Sequence, residues 1–148
     1  DVERDAEMTR LALDAFEELL RRFPKSNYAR DGQLKIDLTK SHLAGKEMTV
    51  GRFYLKREQY VAALRRFDTV VKNYNTSNQV PEALYRKAEA YLALGIMDQF
   101  DRAYEVAKYN YPNSIWTERL SGLRKDPEKP TARGVVQRSV DLITDIFN

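Results

Sequence analysis

Cysteine is absent from the 148 residues, which excludes disulfides, thiolate metal sites and a thiol nucleophile. The lack of thiols is compatible with an oxidising compartment. Histidine occurs once, at His42, so no second imidazole completes a nucleophile–base pair, and no enzymatic activity is expected. Glycine (six) and proline (five) are scarce, and the prolines sit at spaced boundaries, which favours long helices over a loop-rich β fold. No apolar run approaches the roughly 18–20 residues that span a bilayer. A phosphate-cradling loop is missing too: Gly45 and Gly51 fall inside a helical pattern with no Lys-Ser or Lys-Thr after them. Asp98 and Asp101 lack the spacing of a calcium loop. No cofactor is therefore expected.

Charge of one sign is also lacking. Lys and Arg alternate with Asp and Glu, as where Glu17-Glu18 is followed by Arg21-Arg22, and the net charge is only +3. A nucleic-acid binder carries a basic stripe, so no nucleic-acid partner is expected. Hydrophobic residues at 43% and charged residues at 32% describe a globular chain long enough to bury a core without staples. No leader opens the sequence, which starts at Asp1 within a helical pattern and is expected to be part of a longer or processed protein.

What the sequence does contain is a repeat. At a spacing of 37, Tyr54 matches Tyr91, Leu55 matches Leu92, Phe67 matches Tyr104, Tyr74 matches Tyr111, Ser77 matches Ser114 and Gly51 matches Ala88. At a spacing of 51, Ala12, Phe16, Leu19, Phe23 and Ser26 match Ala63, Phe67, Val70, Tyr74 and Ser77. The extra 14 residues are close to four turns at about 3.6 residues each, so they lengthen a helix while keeping its buried face. One long helix is predicted from Tyr28 to Arg57. Small residue, Tyr, small residue, aromatic, aliphatic and then Pro follow each other as in tetratricopeptide repeats, with Asn75 in place of Pro and Phe100 in place of a small residue as departures. Small residues let helices approach to about 8–10 Å, and aromatics fill the space between pairs.

The expected fold is all-α: an α-solenoid of antiparallel tetratricopeptide-like helix pairs with a C-terminal capping helix. The array spans 1–123, as a partial repeat (1–25), a long repeat (26–75), a repeat (76–112) and a short helix (113–123). A linker at 124–131 (RKDPEKPT) and a last helix at 132–148 follow. Helices are predicted at 2–22, at 59–74, from Pro81 to Leu94 with Gly95 closing it, at 98–109, and from Ser114 to Leu123. Ser26 and Ser114 are candidate N-caps. Phe16, Tyr54, Phe67, Tyr91 and Tyr104 are the expected structural core, with Leu11, Ala12, Ala15, Leu19 and Leu20 beside Phe16 on the inward face of the first helix. Val135, Val136, Val140, Leu142, Ile143, Ile146 and Phe147 give the last helix a wide apolar face, suited to capping the array or to receiving a partner.

With chemistry excluded, recognition remains. First helices of such pairs line the concave surface, which nominates Met48, Arg52, Leu55 and Lys56 in one repeat and Tyr85, Glu89 and Leu92 in the next. Arg57, Arg65 and Arg66 surround the turn at Tyr60, either as a solvated basic face or as a dock for an acidic patch.

Leu43-Ala44-Gly45-Lys46-Glu47-Met48-Thr49-Val50-Gly51-Arg52-Phe53-Tyr54-Leu55-Lys56-Arg57, followed by Tyr60-Val61-Ala62-Ala63-Leu64-Arg65-Arg66-Phe67, resembles the BamD (ComL) family of outer-membrane assembly lipoproteins. So do Leu20-Arg21-Arg22-Phe23-Pro24-Lys25-Ser26-Asn27-Tyr28-Ala29 and Ala90-Tyr91-Leu92-Ala93-Leu94-Gly95. The likeness covers about residues 12–115. It implies a periplasmic, outer-membrane-associated scaffold for β-barrel insertion in a Gram-negative bacterium. The implied partner is the POTRA region of the barrel subunit BamA, with other assembly lipoproteins and unfolded outer-membrane proteins as further partners. Family members are lipid-anchored through an N-terminal Cys that this chain lacks, so the resemblance implies the C-terminal half of such a protein. By the same resemblance the partner-binding role falls on Arg66, and more weakly on Arg57; Arg65, Tyr60, Arg52 and Lys56 complete the candidate set. The alternative is a generic periplasmic tetratricopeptide adaptor for another envelope protein or peptide.

Overall fold

The computed structural model describes residues 2–127. Six helices, and no strand, occur among the described residues: α1 (Val2–Arg22), α2 (Ala29–Lys56), α3 (Tyr60–Asn73), α4 (Val80–Ala93), α5 (Met97–Asn110) and α6 (Ile115–Lys125). The long helix is present, at 28 residues. Each helix packs on the one before it, and α4 also touches α2 and α6, which layers the pairs into an all-α array. The helix expected over 132–148, and residues 128–131 of the linker, lie outside the described residues. Helix α6 runs to Lys125, so the first two residues of the expected linker are helical.

The internal repeat is visible in the turns. At the end of α2, Gln59 N–H donates to the Tyr54 carbonyl at 3.0 Å; at the end of α4, Ile96 N–H donates to the Tyr91 carbonyl at 2.9 Å. The residue before each donor is left-handed: Glu58 at φ 61 and Gly95 at φ 72. Glycine takes this conformation at no steric cost, whereas Glu58 is held there by the same pair of backbone bonds. Three-residue connections of this kind turn each helix back against its predecessor.

The core runs between these hairpins. Phe67, Phe100, Met48, Leu120 and Val70 are its largest fully buried side chains. Gly51 of α2 faces the Phe67 ring of α3, and Ala88 of α4 is fully buried. Tyr54, Tyr91 and Tyr104 are half-buried and pack against the core from its edge.

Two expectations are corrected. Phe16 does not sit in the core: it is 52% exposed, as is Leu19, while Leu11 is 58% exposed and Leu13 is the buried residue of α1. Ala12 and Ala15 are exposed as well. Helix α1 packs on α2 through one flank, and no described element covers the other. Periodicity marks which face is apolar, not whether anything lies over it. Phe16 lines an open groove of about 640 Å³ with Met8, Ala12 and Leu38. Ser26 is not an N-cap. The residue at that position is Tyr28, which makes no side-chain cap bond. Ser26 instead uses its carbonyl, accepting from Ala29 N–H at 3.0 Å within a turn. Ser114 does cap α6, accepting from Trp116 N–H at 3.2 Å.

Candidate functional site

The turn from α2 into α3 opens a hollow of about 690 Å³, lined by Tyr54, Tyr60, Val61, Arg65, Arg66 and Leu94. Tyr60 is the first residue of α3, and Arg65 and Arg66 follow one to two turns later. Leu94 reaches the hollow from the end of α4, the repeat-equivalent turn. An apolar floor of Tyr54, Val61 and Leu94 beside two guanidiniums suits a protein surface that brings an apolar side chain and a carboxylate together. Arg65 is exposed at the hollow, and the Glu58 carboxylate lines the same hollow.

Arg66 is tied into the fold. Its Nη1 donates to Glu47 Oε2 at 3.2 Å. The other Glu47 oxygen, Oε1, accepts from Arg10 Nη2 at 3.2 Å, and Arg10 Nε donates to the Tyr74 hydroxyl at 3.3 Å. The Glu47 side chain is 10% exposed, against 50% for Arg10 and 45% for Arg66. A carboxylate that deep is costly unless paired, and here it is paired twice, from α1 and from α3. The sequence pattern does not mark Glu47 and Arg10 as partners. The signal for Glu47 was available: it stands four residues from both Leu43 and Gly51, on the face of α2 that the repeat buries.

The remaining candidates lie elsewhere. Arg52 reaches across to α4, where its Nη1 donates to both Glu82 oxygens at 3.1 Å. Arg57 stacks over the Phe53 ring, 4.5 Å from its centroid, and Lys56 is exposed. None of the three lines the hollow. Of the expected concave-face residues, Met48 is fully buried and Leu55 and Leu92 pack on the core, so they are structural. Glu89 is buried and paired with Arg86 at 2.8 Å. Tyr85 packs on Trp116 of α6 with ring centroids 5.4 Å apart.

Burial, with the nearby Glu89 charge adding to it, pushes the Tyr85 hydroxyl up to about 12 from an ordinary value of 10.0. The fold favours the neutral phenol, so its contribution to stability is whole below pH 10 and is lost as pH rises through about 12. Alkaline absorbance titration should show one tyrosine ionising late, and Tyr85→Phe should abolish that late limb. A late limb that survives the substitution assigns the shift to another tyrosine.

Among the described residues no three His, Asp or Glu side chains come together as a metal site, and His42 is exposed. No described helix is long and apolar enough to cross a membrane.

The chain matches the outer membrane lipoprotein family YfiO over residues 1–106, which takes in α1 to α4, most of α5, the hollow and the Glu47 junction. It is 49% identical over 116 residues to the outer membrane protein assembly factor BamD of Rickettsia prowazekii, covering 78% of this chain and 46% of that protein. It is 44% identical over 116 residues to BamD of Caulobacter vibrioides, covering 78% and 38%. It is 33% identical over 108 residues to BamD of Vibrio cholerae, covering 73% and 45%. The chain thus spans less than half the length of these relatives.

Proposed function

Because the chain belongs to the YfiO family of outer membrane lipoproteins, we propose that it is a non-enzymatic scaffold segment of the machinery that assembles β-barrel proteins at the outer membrane, working on the periplasmic side. Its docking face is the α2–α3 turn, and its partner there is the POTRA region of the barrel subunit. The observation that carries this reading is the convergence of Tyr60, Arg65 and Arg66 on one hollow with an apolar floor. Such a surface takes a carboxylate on its arginines and an apolar neighbour on Tyr54 and Leu94.

The test measures binding of the 148-residue chain to an isolated POTRA region. Arg65→Glu and Arg66→Glu should each weaken binding about tenfold or more, with the loss steeper at low salt. Arg65 is the cleaner probe, because the buried Glu47 carboxylate is bonded by Arg66. Full affinity in both variants, with helicity intact, removes the dock from this face. A wild-type chain that ignores POTRA domains altogether points instead to an adaptor for another envelope protein.

A further inference from the structure

We propose that Arg10, on the first helix, sets the charge that Arg66 offers to a partner, because the two arginines share the single buried carboxylate of Glu47. The inference rests on the reading of the α2–α3 hollow as a dock, and it adds a positioning residue that does not line that hollow. Arg66 stands on the wall between two cavities. One is the docking hollow of about 690 Å³. The other, of about 500 Å³, holds Arg10, Glu47 and Tyr74.

The charges decide what Arg66 can do. Glu47 divides its oxygens evenly, with Arg10 on Oε1 and Arg66 on Oε2, each at 3.2 Å. Arg10 is anchored further by its bond to the Tyr74 hydroxyl, at the C-terminal end of α3. Two guanidiniums share the Glu47 carboxylate, and the Glu7 charge also acts on Arg10. Arg10 neutralises much of Glu47, so Arg66 keeps most of its charge for a ligand; its side chain is 45% exposed and carries donors that Glu47 does not use. Without Arg10, the Glu47 charge falls on Arg66 alone, and a partner's carboxylate meets a neutral pair. Linkage makes the effect mutual: a carboxylate bound on Arg66 removes the competitor for Glu47, so Arg10 and with it α1 are held more firmly.

A double-mutant cycle on the full chain tests this against the POTRA region. Arg10→Gln should weaken binding about tenfold, within the ordinary range for coupled sites. Glu47→Gln should bind at least as tightly as wild type, and in that background Arg10→Gln should change affinity less than about threefold, because no carboxylate is left to share. Arg10→Lys keeps the charge and should retain wild-type affinity, which separates charge from packing. Equal losses from Arg10→Gln in both backgrounds, or no loss in either, would overturn the proposal. A readout without partner separates this inference from the docking reading. Arg66→Gln mimics a neutralised Arg66 and should slow hydrogen exchange of α1 amides severalfold relative to α5. If α1 is slowed while the wild type binds no POTRA domain, the coupling stands and the dock is wrong. If α1 is not slowed, the coupling fails whatever the partner.

Discussion

Phe67→Ala is expected to lose about 3–5 kcal/mol of stability, the range for removing a fully buried phenylalanine. Phe67 is one of the largest side chains with no exposure, and its ring lies against Gly51 of the neighbouring helix. Truncation leaves a void that α2 and α3 cannot close, because the two helices are also held by Met48, Ala63 and Val70 around it. At about 2–4 °C per kcal/mol for a chain of this size, the thermal midpoint should fall by about 6–20 °C. Tyr91→Ala should cost less, because Tyr91 is only half-buried, although the repeat alone places both rings in the same class. Circular dichroism melts of the two variants check the order. A fall of under about 3 °C for Phe67→Ala would mean that the core does not run through this hairpin.

Gly51→Val should cost about 3 kcal/mol, the upper part of the range for overpacking. A Cβ built on Gly51 would lie 2.9 Å from Cδ1 and Cζ of Phe67, and closer still to Cε1. The ring cannot swing away, since it is enclosed on every side. Helix propensity argues the opposite way, because replacing glycine inside a helix by alanine gains about 1 kcal/mol. Gly45 isolates that gain. It lies in the same helix and a Cβ there meets nothing within 4 Å, so Gly45→Ala should raise stability by about 1 kcal/mol. Opposite signs at the two glycines, read from denaturant midpoints, establish close approach of α2 and α3 as the reason for Gly51. The same sign at both would remove that reason.

These two residues show how much of the fold was legible in advance. Gly51 and Phe67 are repeat positions, and each repeats 37 residues later as Ala88 and Tyr104. A stacked array can bury its faces only if small and large residues recur in register, so periodicity reports packing directly. The same logic failed at Phe16. Its offset match to Phe67 is sound as a pattern, yet Phe67 is enclosed by two helix layers and Phe16 by one. Ser26 failed for a related reason. Ser114 has the same place in its repeat and does cap, but an N-cap depends on backbone angles at the helix start that spacing does not specify.

The candidate site was legible in part. Tyr60, Arg65 and Arg66 were picked out by their place around a turn, and they do line one hollow. Arg52 and Lys56 of α2, and Arg57 just after it, share the same stretch of sequence but point away from the hollow, because residues within one helical turn point in different directions.

Residue order by itself determined the helices, their approximate bounds and the repeat, since hydrophobic spacing and turn residues act over a few residues at a time. Only the tertiary structure decided the state of the charges. Arg10 and Arg66 meet at Glu47 although 37 and 19 residues separate them from it, and nothing local to any of the three announces the meeting. Coulomb interactions depend on distance through space and on burial, and both are set when helices from different parts of the chain pack together.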